Sequence, residues 1–269
     1  MREVGPEYLS RRQVLASGLK AYALLSANLW LLGCARSSEG TGSLAISQGA
    51  ETWAAGGTSA MRGAYPNPFQ GRESEPCVLT PDLTEGPCHA ATLNRKDISE
   101  GISGLPMRLS LRIIRADDCT PVPRATVDVW HASPAGYYSA FPAGTICNPG
   151  GTDAQADHFC RGAQSTDASG LVDFDSVFPG WYSGRTTHVH FIVRVGAQAY
   201  LTSQLFFEDA LSDEIFSAHP DYRGRPRRDT TNQTDPVLAG REIGPFLLQT
   251  ARMADGALHA WKTIALSGR

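Results

Sequence analysis

The chain has 269 residues, 42% hydrophobic and 19% charged, with a formal net charge of −3. That balance is ordinary for a soluble protein. It gives no reason to expect a nucleic-acid partner, which would call for a basic surface.

Residues 1–34 read as an address rather than a fold. Ser10-Arg11-Arg12-Gln13-Val14-Leu15 is a twin-arginine pattern. The apolar run that follows, over 21–32, is shorter than the roughly 18–20 residues that a spanning helix needs. Paired arginines before such a run suggest the export route that carries folded proteins. Leu31-Leu32-Gly33-Cys34 resembles a bacterial lipobox, which would make Cys34 a lipidated first residue and the one tie to a membrane. A plain secretory signal cleaved nearby is the alternative, leaving the protein periplasmic or extracellular.

Residues 35–75 are rich in Gly, Ser, Ala and Thr and hold no sustained period. They read as a flexible tether, with Trp53 and Phe69 expected to dock on the body. The folded domain is expected over 76–269, about 195 residues and enough for one core.

Removing Cys34 from the six cysteines leaves Cys77, Cys88, Cys119, Cys147 and Cys160. Their use suits an oxidising compartment, and an odd set leaves at least one free thiol. The sequence leaves their connectivity open, with two candidate pairings. Cys77–Cys119 would tie the domain entry to the end of its first long strand, and Cys147–Cys160 would close the turn-rich Asn148-Pro149-Gly150-Gly151. A four-thiolate zinc site finds no close Cys-X-X-Cys pair.

Leu105, Met107, Leu109, Leu111 and Ile113 alternate with Arg108, Ser110 and Arg112, the period of a half-buried strand. Residues 125–131 form a second alternating run, broken by Ser133-Pro134-Ala135-Gly136. A long irregular loop is expected from 141 to about 163, then short strands over 170–174, 187–195 and 199–207. Residues 211–216 suggest a helical turn or two. Asp255-Gly256 between the runs 246–251 and 257–266 signals a hairpin. The sum is an all-β sandwich of mainly antiparallel strands with long loops, preceded by a signal and a tether.

His188 and His190 open the fourth of these strands. Side chains two apart on a strand share a face about 7 Å apart. Two imidazoles so placed can close on iron, copper or zinc, although two packed or solvated histidines would give the same pattern. His131 is expected to pack within its strand, and His89, His158, His219 and His259 to be solvated.

Between Cys77 and about Asp235 stand Leu79-Thr80-Pro81-Asp82-Leu83-Thr84-Glu85-Gly86-Pro87, Pro121-Val122-Pro123, Asp128-Val129-Trp130-His131, Gly136-Tyr137-Tyr138-Ser139, Pro179-Gly180-Trp181-Tyr182 and Gln204-Leu205-Phe206-Phe207. Through these motifs the chain resembles the intradiol ring-cleavage dioxygenases, the catechol and protocatechuate 3,4-dioxygenase family, in its exported single-domain branch. It implies one Fe(III) held by Tyr138, Tyr182, His188 and His190, with Tyr137 pointing elsewhere. It implies Arg185 as a fixed cation for developing negative charge, whose alternative role is a salt bridge, and Gln204 near the metal. Tyr182 is expected to be the displaceable ligand and to take up substrate protons. The implied substrates are a catechol-type ring and O2, and the product a cis,cis-muconate. Cys88-His89 follow Pro87 where many relatives carry aromatic residues, so these motifs do not specify which catechol is cleaved, and Cys88 stays open as a free thiol near the pocket or a disulfide partner. They do not specify an oligomer either. A copper or zinc enzyme using His188, His190 and a further histidine, and a lipid-tethered binding module, stay open as alternatives.

Overall fold

The computed structural model describes residues 52–71 and 77–268. The twin-arginine segment, the lipobox with Cys34 and tether residues 35–51 lie outside them. Among the described residues, eight strands form two four-stranded sheets. The strands are β1 (Pro106–Arg115), β2 (Thr126–Trp130), β3 (Arg161–Ser165), β4 (Leu171–Val177), β5 (His188–Val195), β6 (Gln198–Phe206), β7 (Gln249–Arg252) and β8 (Leu258–Leu266). One helix, α1 (Asp209–Ala218), follows β6. The sheet orders are β4-β1-β8-β7 and β3-β2-β5-β6. Only the β1–β8 pair runs parallel.

The alternation read in the sequence builds the core. Met107, Leu109, Leu111 and Ile113 of β1 meet Val127 and Val129 of β2 and Val189, Phe191 and Val193 of β5 between the sheets. Each such side chain contributes ~1.5–3 kcal/mol by leaving water. The period of two then sends His188, His190 and Ile192 to the opposite face of β5. That face is also buried, because the loops after β2 and ahead of β1 cover it.

Four expectations change. The tether does not run to residue 75, since residues 52–71 lie against the body. Trp53 Nε1 donates to Glu214 at 2.8 Å, Gly57 N–H to Gly104 O at 2.9 Å and Tyr65 Oη to Asp255 at 2.9 Å. Phe69 is buried and the Arg108 guanidinium lies over the Tyr65 ring, so this segment covers the outer face of β1.

The expected Cys77–Cys119 disulfide is present, but Cys147 pairs with Cys88 and Cys160 is a free, buried thiol. Cys147 packs with Cys88, Trp130 and Tyr138, whereas Cys160 packs with Ala154, Phe159 and Val177. The long loop ends early because β3 starts at Arg161. Gly162 hides that strand from pattern reading, yet a Cβ there would stand 2.5 Å from Ile98 Cγ2.

His219 and His259 are buried rather than solvated. His219 Nε2 lies 2.8 Å from Ala54 O and His259 Nε2 lies 2.9 Å from Ser110 Oγ. His131 packs as expected: its Nδ1 donates to Ala132 O at 2.8 Å, and burial lowers its pKa to about 4.

Candidate metal centre

Four side chains from three segments meet on the outer face of β5. Tyr138 Oη lies 3.2 Å from Tyr182 Oη, 3.4 Å from His188 Nε2 and 3.2 Å from His190 Nε2. Tyr182 Oη lies 3.2 Å from His188 Nε2, and the two Nε2 atoms are 3.0 Å apart. Donors held at 2.0–2.1 Å from one ion stand about 3 Å apart, so this spacing fits a single cation.

Each donor is held from behind. His188 Nδ1 donates to Thr186 O at 2.6 Å. A carbonyl only accepts, so the proton sits on Nδ1 and the Nε2 lone pair faces the cluster. His190 stacks on Trp130 with ring centroids 4.9 Å apart and planes 8° apart. Gly86 backs its edge, where a Cβ would stand 3.3 Å from His190 Cε1. Tyr138 N–H donates to Cys147 O at 2.8 Å, so the Cys88–Cys147 bridge ties the entry motif to the tyrosine turn. Buried Arg161 braces the same turn, donating from Nη2 to Ser139 O at 2.7 Å and from Nε to Ser139 Oγ at 2.9 Å. Tyr182 sits on a turn anchored by Asp229, which accepts from Ser183 Oγ at 2.6 Å and Gly184 N–H at 3.2 Å. Tyr137 points away and packs on Phe159.

Electrostatics keep the cluster neutral without a cation. Burial, then the neighbouring Tyr182, pushes the Tyr138 phenol well above its usual range. Burial also raises Tyr182, opposed by the nearby Arg185 guanidinium. Burial, reinforced by Arg185, holds both imidazoles well below their ordinary value. Neutral imidazole is the ligand form, and a bound cation would draw the protons off the phenols.

Arg185 is both a salt-bridge partner and a neighbour of the cluster. Its Nε donates to Asp235 at 3.0 Å, and its Nη2 donates to Gln204 Oε1. Asp235, fully buried as a side chain, also accepts Thr186 N–H at 2.8 Å. Gln204 faces His190 across β5–β6 and donates to Thr84 O at 2.7 Å, joining the entry motif to Arg185. Asp235, Arg161 and the Cys88–Cys147 bridge had no sequence signal of their own, because each acts by contact with a distant segment.

A family model described as Dioxygenase (Dioxygenase_C) matches residues 78–234, more than half the chain. The chain belongs to the intradiol ring-cleaving dioxygenase family. Two curated members of this dioxygenase family are similar to it. Catechol 1,2-dioxygenase 1 of Acinetobacter lwoffii is 29% identical, over 48% of this chain and 46% of that one. Chlorocatechol 1,2-dioxygenase of Pseudomonas sp. (strain P51) is 31% identical, over 35% and 41%. The match thus spans less than half the length of either. An intradiol ring-cleavage dioxygenase structure from Tetranychus urticae superposes with a TM-score of 0.65 at 26% identity, covering 71% of this chain and 95% of that one. The β-sandwich is therefore the fold of this dioxygenase family.

Proposed function

We propose that the chain cleaves a catechol-type ring between its two hydroxylated carbons with O2, giving a cis,cis-muconate-type dicarboxylic acid, at a ferric iron held by Tyr138, Tyr182, His188 and His190. The observation that carries this reading is the convergence of two phenol oxygens and two imidazole nitrogens within 3.0–3.4 Å. Two phenolates favour a hard trivalent ion, whereas ferrous oxygenases use two histidines and one carboxylate. A copper or zinc site with a third histidine has no support, since among the described residues no group of three His, Cys, Asp or Glu is placed to hold a metal ion.

Held by these four residues, a ferric ion would supply the Lewis acidity that makes a catechol-type ring reactive toward O2. The chain's own residues do the rest. Tyr138, His188 and His190 are buried and fix three donors in a dry wall. Tyr182 is the least buried of the four, on a turn whose Ser183 and Gly184 are exposed. Its Oη takes a proton from a substrate hydroxyl. Arg185, held by Asp235 and Gln204, presents a fixed cation to the negative charge that develops on the ring oxygens.

Export is proposed with this activity. The twin-arginine pattern at Arg11-Arg12 and the lipobox at Cys34 support it. So do the Cys77–Cys119 and Cys88–Cys147 bridges, which suit an oxidising compartment.

The test is oxygen uptake by iron-loaded protein across catechol, hydroxyquinol and protocatechuate, with mass analysis of the product under 18O2. The reading expects both labelled atoms in a ring-opened diacid. Absence of O2 consumption on every substrate would contradict it.

A further inference from the structure

The two phenols arrive on separate turns, one after β2 and one ahead of β5, and a single side chain outside both joins them. Arg225 Nη1 donates to Pro134 O at 3.0 Å, in the turn that leads to Tyr138. Arg225 Nη2 donates to Trp181 O at 2.5 Å, one residue before Tyr182. The guanidinium carbon stands 4.9 Å over the Trp181 ring. Two glycines make this approach possible. A Cβ on Gly136 would stand 2.2 Å from Trp181 O and 2.5 Å from Arg225 Nη2, and one on Gly180 would stand 2.2 Å from Pro134 O. The two turns are thus in backbone contact, and their carbonyls aim at one planar fork of donors. Arg225 is half-buried, and burial lowers its pKa, so the cation occupies this place at a desolvation cost. No carboxylate lies within ion-pair distance of it among the described residues.

We propose that Arg225 is a positioning residue for the metal centre: by bridging Pro134 O and Trp181 O it sets the separation of Tyr138 Oη from Tyr182 Oη. A fork fits this task and a point charge does not, because a lysine ammonium on a flexible stem cannot hold two carbonyls at two fixed angles. The proposal rests on the reading of Tyr138 and Tyr182 as ligands of one ferric ion. It adds that their geometry is imposed from a third segment, residues 219–228, that carries no ligand itself.

The experiment compares wild-type protein, Arg225→Met, Arg225→Lys and the exposed control Arg223→Met, each loaded with iron and exposed to a competing chelator. The readouts are the tyrosinate-to-iron absorption band, the iron release rate and the unfolding midpoint of the metal-free protein. Loss of outer support to metal ligands typically weakens retention about 10–100-fold. Arg225→Met is expected to release iron faster by that factor with a shifted or weakened band. Arg225→Lys should recover only part of the loss, and Arg223→Met should match wild type. If Arg225→Met does not fold, Arg225→Lys decides alone. A wild-type band and release rate in Arg225→Lys, or in a folded Arg225→Met, would overturn the proposal. So would a lowered metal-free midpoint with an unchanged band, which marks a general packing role. A wild-type protein with no tyrosinate band would instead sink the iron reading beneath it.

Discussion

His188 Nε2 and His190 Nε2 lie 3.0 Å apart, although their side chains leave β5 two residues, or about 7 Å, apart. The rings tilt together at 73° with centroids 4.7 Å apart. The proton on His188 Nδ1 turns its Nε2 lone pair inward, toward the second imidazole and two phenol oxygens. Four electron-rich atoms gathered in a buried pocket cost energy unless protons or a cation lie between them.

Tyr138→Phe removes the more buried of the cluster's two phenol oxygens and leaves the ring packing with Trp130 and Cys88. Iron retention is expected to fall by at least about tenfold, in the range seen when support of a metal site is lost. The visible band should bleach with it. Iron content and spectrum equal to wild type would remove Tyr138 from the ligand set.

Iron uptake should release protons. Burial keeps both phenols protonated in the metal-free site, with their pKa values raised. A ferric ion binds the deprotonated forms, so about two protons leave per iron. Affinity therefore rises with pH and falls as pH drops. Titration of iron into weakly buffered protein, followed by pH-stat, reads the number directly. A value of zero would contradict two phenolate ligands.

Stability of the metal-free protein should fall from pH 6.5 toward pH 4. Burial lowers His131 and His259 from 6.5 to about 4 in the folded state. Protonation therefore favours the unfolded chain: their contribution is full above pH 6.5 and is lost as pH falls through this window. Each fully shifted histidine is worth up to about 3 kcal/mol. Denaturant unfolding at several pH values checks this, and a flat profile would contradict it.

Replacing Asp235 with Ala should destabilise the protein by about 3–5 kcal/mol, the cost of leaving a buried partner charge unpaired. Arg185 loses its carboxylate and Thr186 N–H loses its acceptor. Thr186 is also the acceptor that orients His188, so the iron band should shift as well. Unfolding curves and spectra of the variant decide both parts.

Opening Cys88–Cys147 should cost about 4 kcal/mol, from a loop of 59 residues released into the unfolded chain. A Cys88→Ser, Cys147→Ser double variant measured by denaturant unfolding tests the figure. Because the bridge holds the turn carrying Tyr138, oxygen uptake should drop at the same time.

Local pattern made much of this legible. The alternating runs at 105–113, 125–131 and 187–195 became β1, β2 and β5, because a buried face every second residue is visible in the chain itself. Tyr138 and Tyr182 were legible through the motifs around them, not through spacing, since 44 residues separate them. β3 was hidden because Arg161-Gly162-Ala163-Gln164-Ser165 lacks apolar alternation and is held by its neighbours. The partner of Cys147 was hidden for a related reason: nearness in sequence favoured Cys160, while the folded loops brought Cys88 to a Cα distance of 5.5 Å. Segment 52–71 looked like linker because its composition is small and polar, yet a few aromatics bind it to the outer sheet face.

The most direct measurement is a visible spectrum with metal analysis on the protein as isolated. About one ferric ion per chain and a red-brown tyrosinate-to-iron band are expected, since a bound cation deprotonates its phenol ligands. A colourless protein that carries zinc, copper or ferrous iron in this site would contradict it.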